Sequence, residues 1–276
     1  MRNRAACSRQ TQKRRTVKGP ENMNRWIIRI ANSIVTFVTL AVLLAGGFYA
    51  GYAIWDNNRI YAEAGDVQAD MIRIKPEEEG AGEGASLGEL LKINPDVCAW
   101  VTMDRTAIDF PVLQGEDNMS YINRDVYGNF ALAGSIFLDS RNKKDLSDTY
   151  SLLYGHHMDH SNMFGDLDLY KDEEFFRANR TGCLLLPEGS RDLEVLCLFL
   201  VKSDDRILFR PQESSKDVAG ILDYAEEKAV YLNEDVLEKL RGEETPGLLG
   251  LSTCSSEFTD ARIVLLCRMT DGDKQQ

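Results

Sequence analysis

Twenty-two consecutive residues carry no charge, Ile34 to Trp55 (IVTFVTLAVLLAGGFYAGYAIW), and they constrain this chain more than anything else in it. About 20 apolar residues cross the hydrocarbon of a bilayer as a helix, the conformation that satisfies each backbone N–H and C=O internally. Thr36 and Thr39 fit such a helix because their hydroxyls bond back to its carbonyls. Trp26, Tyr52 and Trp55 stand near the ends, where interfacial aromatics belong. Ala45 to Ala53 offers small residues of the kind found at a cleavage site, which keeps a signal peptide in view. The stretch exceeds the roughly 7–15 apolar residues of a signal-peptide core, however, and the arm before it is long. One uncleaved transmembrane helix is therefore expected.

The charge sorts around that helix. Met1 to Ser33 holds nine Lys/Arg against one acid, Glu21, while the remainder holds 23 bases against 43 acids, a net of −20. The positive-inside rule puts the N-terminus in the cytoplasm and residues 56–276 outside. A body this acidic excludes nucleic-acid binding, which needs a basic face. Four segments follow: a basic arm, 1–33; the anchor, 34–55; a juxtamembrane helix and acidic linker, 56–85; and a folded extracellular domain, 86–276.

Asn57 to Ile74 has apolar residues at helical spacing (Ile60, Ala64, Val67, Met71, Ile74). Pro76 to Ala85 (PEEEGAGEGA) cannot bury enough surface to fold and reads as a linker. Ser86 and Glu89 form a capping-box pattern ahead of Leu90-Leu91. From Asp96 onward short apolar or alternating runs are separated by turn residues. They are Cys98–Met103, Ile108–Leu113, Ser135–Leu138, Tyr150–Tyr154, Gly182–Leu186, Leu193–Val201, Leu248–Thr253 and Ile263–Met269. Such a series predicts an antiparallel barrel or sandwich. Helical patterns interrupt it at Met163–Asn179 and from Ser215 to about Leu240. The fold class is mainly β with peripheral helices.

Six cysteines are present, with Cys7 on the cytoplasmic side and Cys98, Cys183, Cys197, Cys254 and Cys267 outside. An odd number in a disulfide-permissive compartment points to a reactive thiol. Cys183 and Cys197 flank a hairpin with its turn near Glu188-Gly189-Ser190. They are read either as two buried thiols or as a disulfide across that hairpin.

All three histidines lie within Tyr154-Gly155-His156-His157-Met158-Asp159-His160. His156 and His160 would share a helix face, yet the Glu of a helical HExxH site is replaced by His157. A HxHxDH metal pattern fails at Gly155. A metal-dependent hydrolase and solvated loop histidines remain as alternatives to a third reading. In that one, His156 follows one strand and Cys254 closes another in LSTCSSEFTDAR, with Arg262 opening the next. A thiolate nucleophile, an imidazole that protonates a departing amine, and a guanidinium at a tetrahedral oxyanion compose acyl transfer through a thioester. Hydrolysis and transfer to an amine both remain open on this chemistry.

Several stretches carry a family resemblance, in order: Asn94-Pro95-Asp96…Trp100, Ile108-Asp109-Phe110-Pro111-Val112 and Asp117-Asn118…Tyr121. Then come Gly134-Ser135-Ile136-Phe137-Leu138-Asp139…Arg141-Asn142, Tyr154-Gly155-His156-His157-Met158, Met163-Phe164-Gly165-Asp166-Leu167 and Leu251-Ser252-Thr253-Cys254. Over about Ser86 to Met269 the chain resembles the class B sortases, Gram-positive cysteine transpeptidases that fix surface proteins to the cell wall.

The resemblance implies a sortase-type antiparallel β-barrel behind one transmembrane helix, with no metal and no cofactor. Cys254 matches the nucleophile that attacks after the Thr of a sorting signal, His156 the catalytic histidine and Arg262 the arginine at substrate and oxyanion. His157 matches a neighbouring position outside that set. Ser252 and Thr253 line the site, Thr253 being the one expected near the oxyanion. Asn118, Tyr121 and Ile122 resemble a wall of the substrate groove, Tyr121 and Ile122 being equally readable as core. A helix within Ser215–Leu240 resembles the one class B inserts before the nucleophile strand. The implied partners are surface proteins bearing an NPxTN-like or Gly-ending signal, with a peptidoglycan-precursor or pilin amine as acceptor. A catalytically silent, membrane-tethered binding domain on the same fold is the remaining alternative.

Overall fold

A computed structural model of the chain describes residues 20–75, 87–159, 161–254 and 259–272, with side chains from residue 24. Cys7, the acidic linker, Ser86, His160 and Glu257 lie outside the described residues. Two compact units meet between Asp56 and Asn57. The first is the run of helix α1 (Pro20–Ile72) up to Asp56, whose apolar side chains are almost all exposed. It contains the one helix, among the described residues, that is long and apolar enough to cross a membrane.

The second unit is built on eight strands. They are β1 (Val97–Met103), β2 (Asp109–Leu113), β3 (Ile136–Leu138), β4 (Tyr150–Tyr154), β7 (Thr181–Leu186), β8 (Gly189–Lys202), β10 (Gly247–Cys254) and β11 (Ala261–Asp271). Shorter pieces are β5 (His157–Met158), β6 (Asn162–Met163) and β9 (Tyr231–Leu232). Hydrogen-bonded order runs β11-β10-β4-β3-β2-β1-β7-β8, and β8 pairs back onto β11, closing an eight-stranded barrel. Every barrel strand corresponds to one of the eight apolar runs in the sequence.

Most pairings are antiparallel, as expected, but β2–β3 and β4–β10 are parallel. A parallel neighbour needs a long connection, and the irregular segment 114–135 supplies it between β2 and β3. Period-2 alternation then assigns faces. Leu249, Leu251, Ile263 and Leu265 belong to the interior cluster, whereas Leu248, Val264 and Leu266 face outward. That outer face is covered by α5 (Val218–Lys228) and α6 (Glu234–Gly242) through Ile221, Leu222, Val236 and Leu240.

Three local expectations change. The helix read over Ser215–Leu240 is two helices, because Tyr231–Leu232 pairs with β8 and Val230 N–H donates to the Leu198 carbonyl at 2.8 Å. The stretch from Met163 to Asn179 is a 3-10 turn (Gly165–Lys171) and a short helix, α3 (Glu173–Ala178), capped by Asp172. The Cys183 hairpin turns earlier than expected, so Cys183 faces Asp192, while Cys197 sits beside Leu266. All five described cysteines are free thiols. Helix α2 (Gly88–Ile93) starts from Leu87 without a side-chain cap.

Candidate functional site

Strand β10 is buried from Leu248 to Thr253 and emerges at Cys254, which is exposed. Directly across on β11 stands Arg262. Opposed residues of an antiparallel pair share one face, with Cβ atoms about 4.5–5.5 Å apart. Pairing alone therefore brings the thiol and guanidinium together on the outward face of the barrel. One Nη of Arg262 donates to the Ala261 carbonyl at 3.0 Å. Among the described residues no carboxylate pairs with this side chain, Asp260 included.

The third group arrives from β4. The parallel register sets Tyr154 beside Ser252, and Gly155 N–H continues the ladder to the Ser252 carbonyl at 3.1 Å. The chain then passes to His156 alongside the last residues of β10. Gly155 is required at this step, since a Cβ would fall 2.4 Å from Ile136 Cδ1 and 2.7 Å from Phe164 Cδ2. The His156 ring is half-buried, with Nε2 2.8 Å from the Ile122 carbonyl oxygen. A carbonyl only accepts, so Nε2 carries the proton and Nδ1 is the nitrogen left for proton exchange.

His157 has a different environment. Its Nε2 lies 3.1 Å from the Asp168 carboxylate, which also pairs with Lys171. The two histidines are thus held by different partners on different segments.

The expected groove residues divide. Asn118 is half-buried and doubly held: Nδ2 donates to Asp139 Oδ2 at 3.0 Å and Oδ1 accepts from Ser140 N–H at 2.7 Å. Tyr121 is core in this structure rather than groove wall. The residue is 4% exposed and its hydroxyl donates to Asp96 at 2.7 Å while accepting from Asn94 at 3.0 Å. Ile122 contributes its carbonyl, not its side chain, to the histidine. Ser252 and Thr253 are both buried with hydroxyls that have no described partner. Alternation puts Ser252 on the face of Cys254 and turns Thr253 inward, opposite to its expected place near the oxyanion.

Asp139 carries no role in the sequence reading, yet it is the most heavily bonded carboxylate near the site. It has no exposed side-chain surface. It accepts from Arg141 N–H, Nε and Nη2 at 2.9, 2.8 and 2.6 Å, and from Tyr154 Oη at 3.0 Å, besides Asn118. Burial acts to raise its pKa, and the Arg141 bonds overcome that and hold it below the usual carboxylate range. Burial and then the same carboxylate push the Tyr154 phenol upward, keeping it a neutral donor. The signal available in sequence was the acid closing an apolar run with Arg two residues later.

A cavity of about 400 Å³ lies elsewhere, between residues 60–71 of α1 and the segment 125–136. None of Cys254, His156 and Arg262 lines it.

No family model matches the chain. Sortase B of Listeria monocytogenes is 29% identical over 234 residues, covering 84% of this chain and 93% of its own. The crystal structure of a Streptococcus pyogenes class B sortase involved in pilus biogenesis is 33% identical with a TM-score of 0.60. That match covers 68% of this chain and all of that one. Sortase B from B. anthracis, solved in complex with AAEK1, is 28% identical with a TM-score of 0.65, over 78% of this chain and 99% of that one.

Proposed function

Because the chain belongs to the class B sortase family, we propose that it is a membrane-anchored transpeptidase using Cys254, His156 and Arg262 on a C-terminal sorting signal. The observation that carries this reading is the pairing of an exposed Cys254 directly opposite Arg262, with His156 delivered by the neighbouring strand.

The Cys254 thiol passes its proton to His156 Nδ1, and the thiolate attacks the carbonyl carbon of the signal's Thr, forming a C–S bond as the carbonyl electrons move to oxygen. Arg262 offers fixed N–H donors and permanent charge to that oxyanion. Collapse breaks the C–N bond, and the departing amine takes a proton from His156 Nδ1, leaving a thioester on Cys254. An acceptor amine then attacks the thioester, gives its proton back to Nδ1, and expels the thiolate. The Ile122 carbonyl accepts from Nε2–H throughout, so the ring keeps its orientation while Nδ1 cycles. The acceptor is an amine of a peptidoglycan precursor or a pilin, and the signal is NPxTN-like or a relative ending in Gly.

The uncharged helix 34–55 is the anchor in this reading, with the basic arm cytoplasmic and the barrel outside. Mass spectrometry of the protein with a panel of pentapeptide signals tests the chemistry. Expected are an acyl adduct on Cys254, no adduct or cleavage in Cys254→Ala, and a loss on the order of 10²–10⁴-fold in His156→Ala. His157→Ala should retain much of the activity. Turnover by Cys254→Ala, or the reverse ranking of the histidines, would sink the assignment.

A further inference from the structure

Asp139 lies outside the reactive trio but on its face of the barrel. Phe137 and Tyr154 are direct partners with rings 5.3 Å apart, and Tyr154 is in turn the partner of Ser252, on the side that Cys254 shares. Asp139 N–H bonds the Leu152 carbonyl, which fixes its carboxylate two residues below Tyr154, while Cys254 stands two residues above Ser252. Two strand spacings across and about four residues along give a separation on the order of 15 Å, the length of four to five extended residues.

Three elements converge on this carboxylate. Asn118 comes from the β2–β3 connection, Arg141 from the turn after β3, and Tyr154 from the end of β4. Arg141 Nη2 also donates to the Phe209 carbonyl at 2.9 Å, and the Phe209 ring stacks on Tyr154 at 6.4 Å. The carboxylate and Ser140 N–H together set which end of the Asn118 amide is N and which is O. One N–H and one lone pair of that amide then remain, in fixed directions, for a ligand.

We infer that Asp139 is a positioning residue for substrate selection: it locks the Asn118 amide and the Tyr154 phenol into a reader for the fourth signal residue counted back from the scissile bond, the Thr being the first. This rests on the transpeptidase reading above and adds to it a determinant of affinity remote from the bond broken. A buried, fully bonded carboxylate suits that task, because a loosened neighbour would leave its lone pairs unsatisfied. The reader binds substrate before chemistry, so its loss is felt in KM and leaves the thiol's reactivity alone.

The test is a cycle of Asp139→Asn, Asn118→Ala and the double variant in the full chain, with a peptide carrying Asn-Pro-Ala-Thr-Asn. Each single variant should raise KM about tenfold with kcat within twofold, and the double variant should be no worse than the worse single one. Alkylation of Cys254 by iodoacetamide should keep its wild-type rate. A fall in kcat at unchanged KM, or effects that multiply in the double variant, would overturn the assignment. Should Asp139→Asn unfold, Asn118→Asp sets a second carboxylate against Asp139 and should raise KM beyond Asn118→Ala; an equal or smaller rise counts against the proposal. Failure of the wild type to form any adduct speaks against the transpeptidase reading instead.

Discussion

Of the five described thiols, Cys254 alone is exposed. Cys98 is buried and its pKa is pushed up to about 12, and burial raises Cys197 and Cys267 as well. Such thiols stay protonated and shielded, whereas Cys254 is exposed at the end of β10. Iodoacetamide on the native protein should therefore modify Cys254, with Cys98, Cys197 and Cys267 reacting only after unfolding. Peptide mapping reads this directly, and comparable native labelling of Cys267 would contradict it. The exposed position of this thiol was legible because it closes an apolar run beside hydroxyl residues. Thr253 was misread for a reason visible only with the register known: adjacent strand residues face opposite ways, so the hydroxyl beside Cys254 in sequence is not beside it in space.

Elements place these residues through the long β2–β3 connection. Gly134 in that connection has φ +61°, and a Cβ there would lie 2.3 Å from the Ile122 oxygen that holds His156. Gly134→Ala should cost roughly 1–2 kcal/mol for the left-handed backbone and should also shift that carbonyl. Activity is expected to fall beyond what the stability loss explains, and the ¹⁵N shifts of His156 should lose their Nε2–H signature. Retention of that signature with full activity would separate the glycine from the histidine. The eight strands were legible because their apolar runs carry a local signal. The parallel pairings, the break between α5 and α6 and the Cys183 partner were not, since each is decided by a distant strand: β8 supplies the carbonyl that ends the helical run at Val230.

At the scale of the molecule, composition disclosed the uncharged span and the acidic body, but not which acids hold the barrel together. Asp139 joins three segments at one rim. Glu194 on β8 takes Lys239 from α6 at 2.6 Å and Arg268 from β11 at 2.8 Å, and Arg268 also binds Glu243. Burial acts to raise both carboxyls, and their cationic partners hold both below the ordinary range. A carboxyl whose pKa is lower folded than unfolded stabilises the fold above the unfolded value, about 4. That contribution is lost as pH falls through the folded value. Urea unfolding should show stability nearly level from pH 7 to about 5 and declining from about 4 downward. Asp139→Asn has nothing to protonate at this site, so it should be less stable at pH 7 and should lose less between pH 5 and pH 3 than the wild type. If the variant and wild type lose stability in parallel across that window, Asp139 is not among the groups whose protonation opens the barrel.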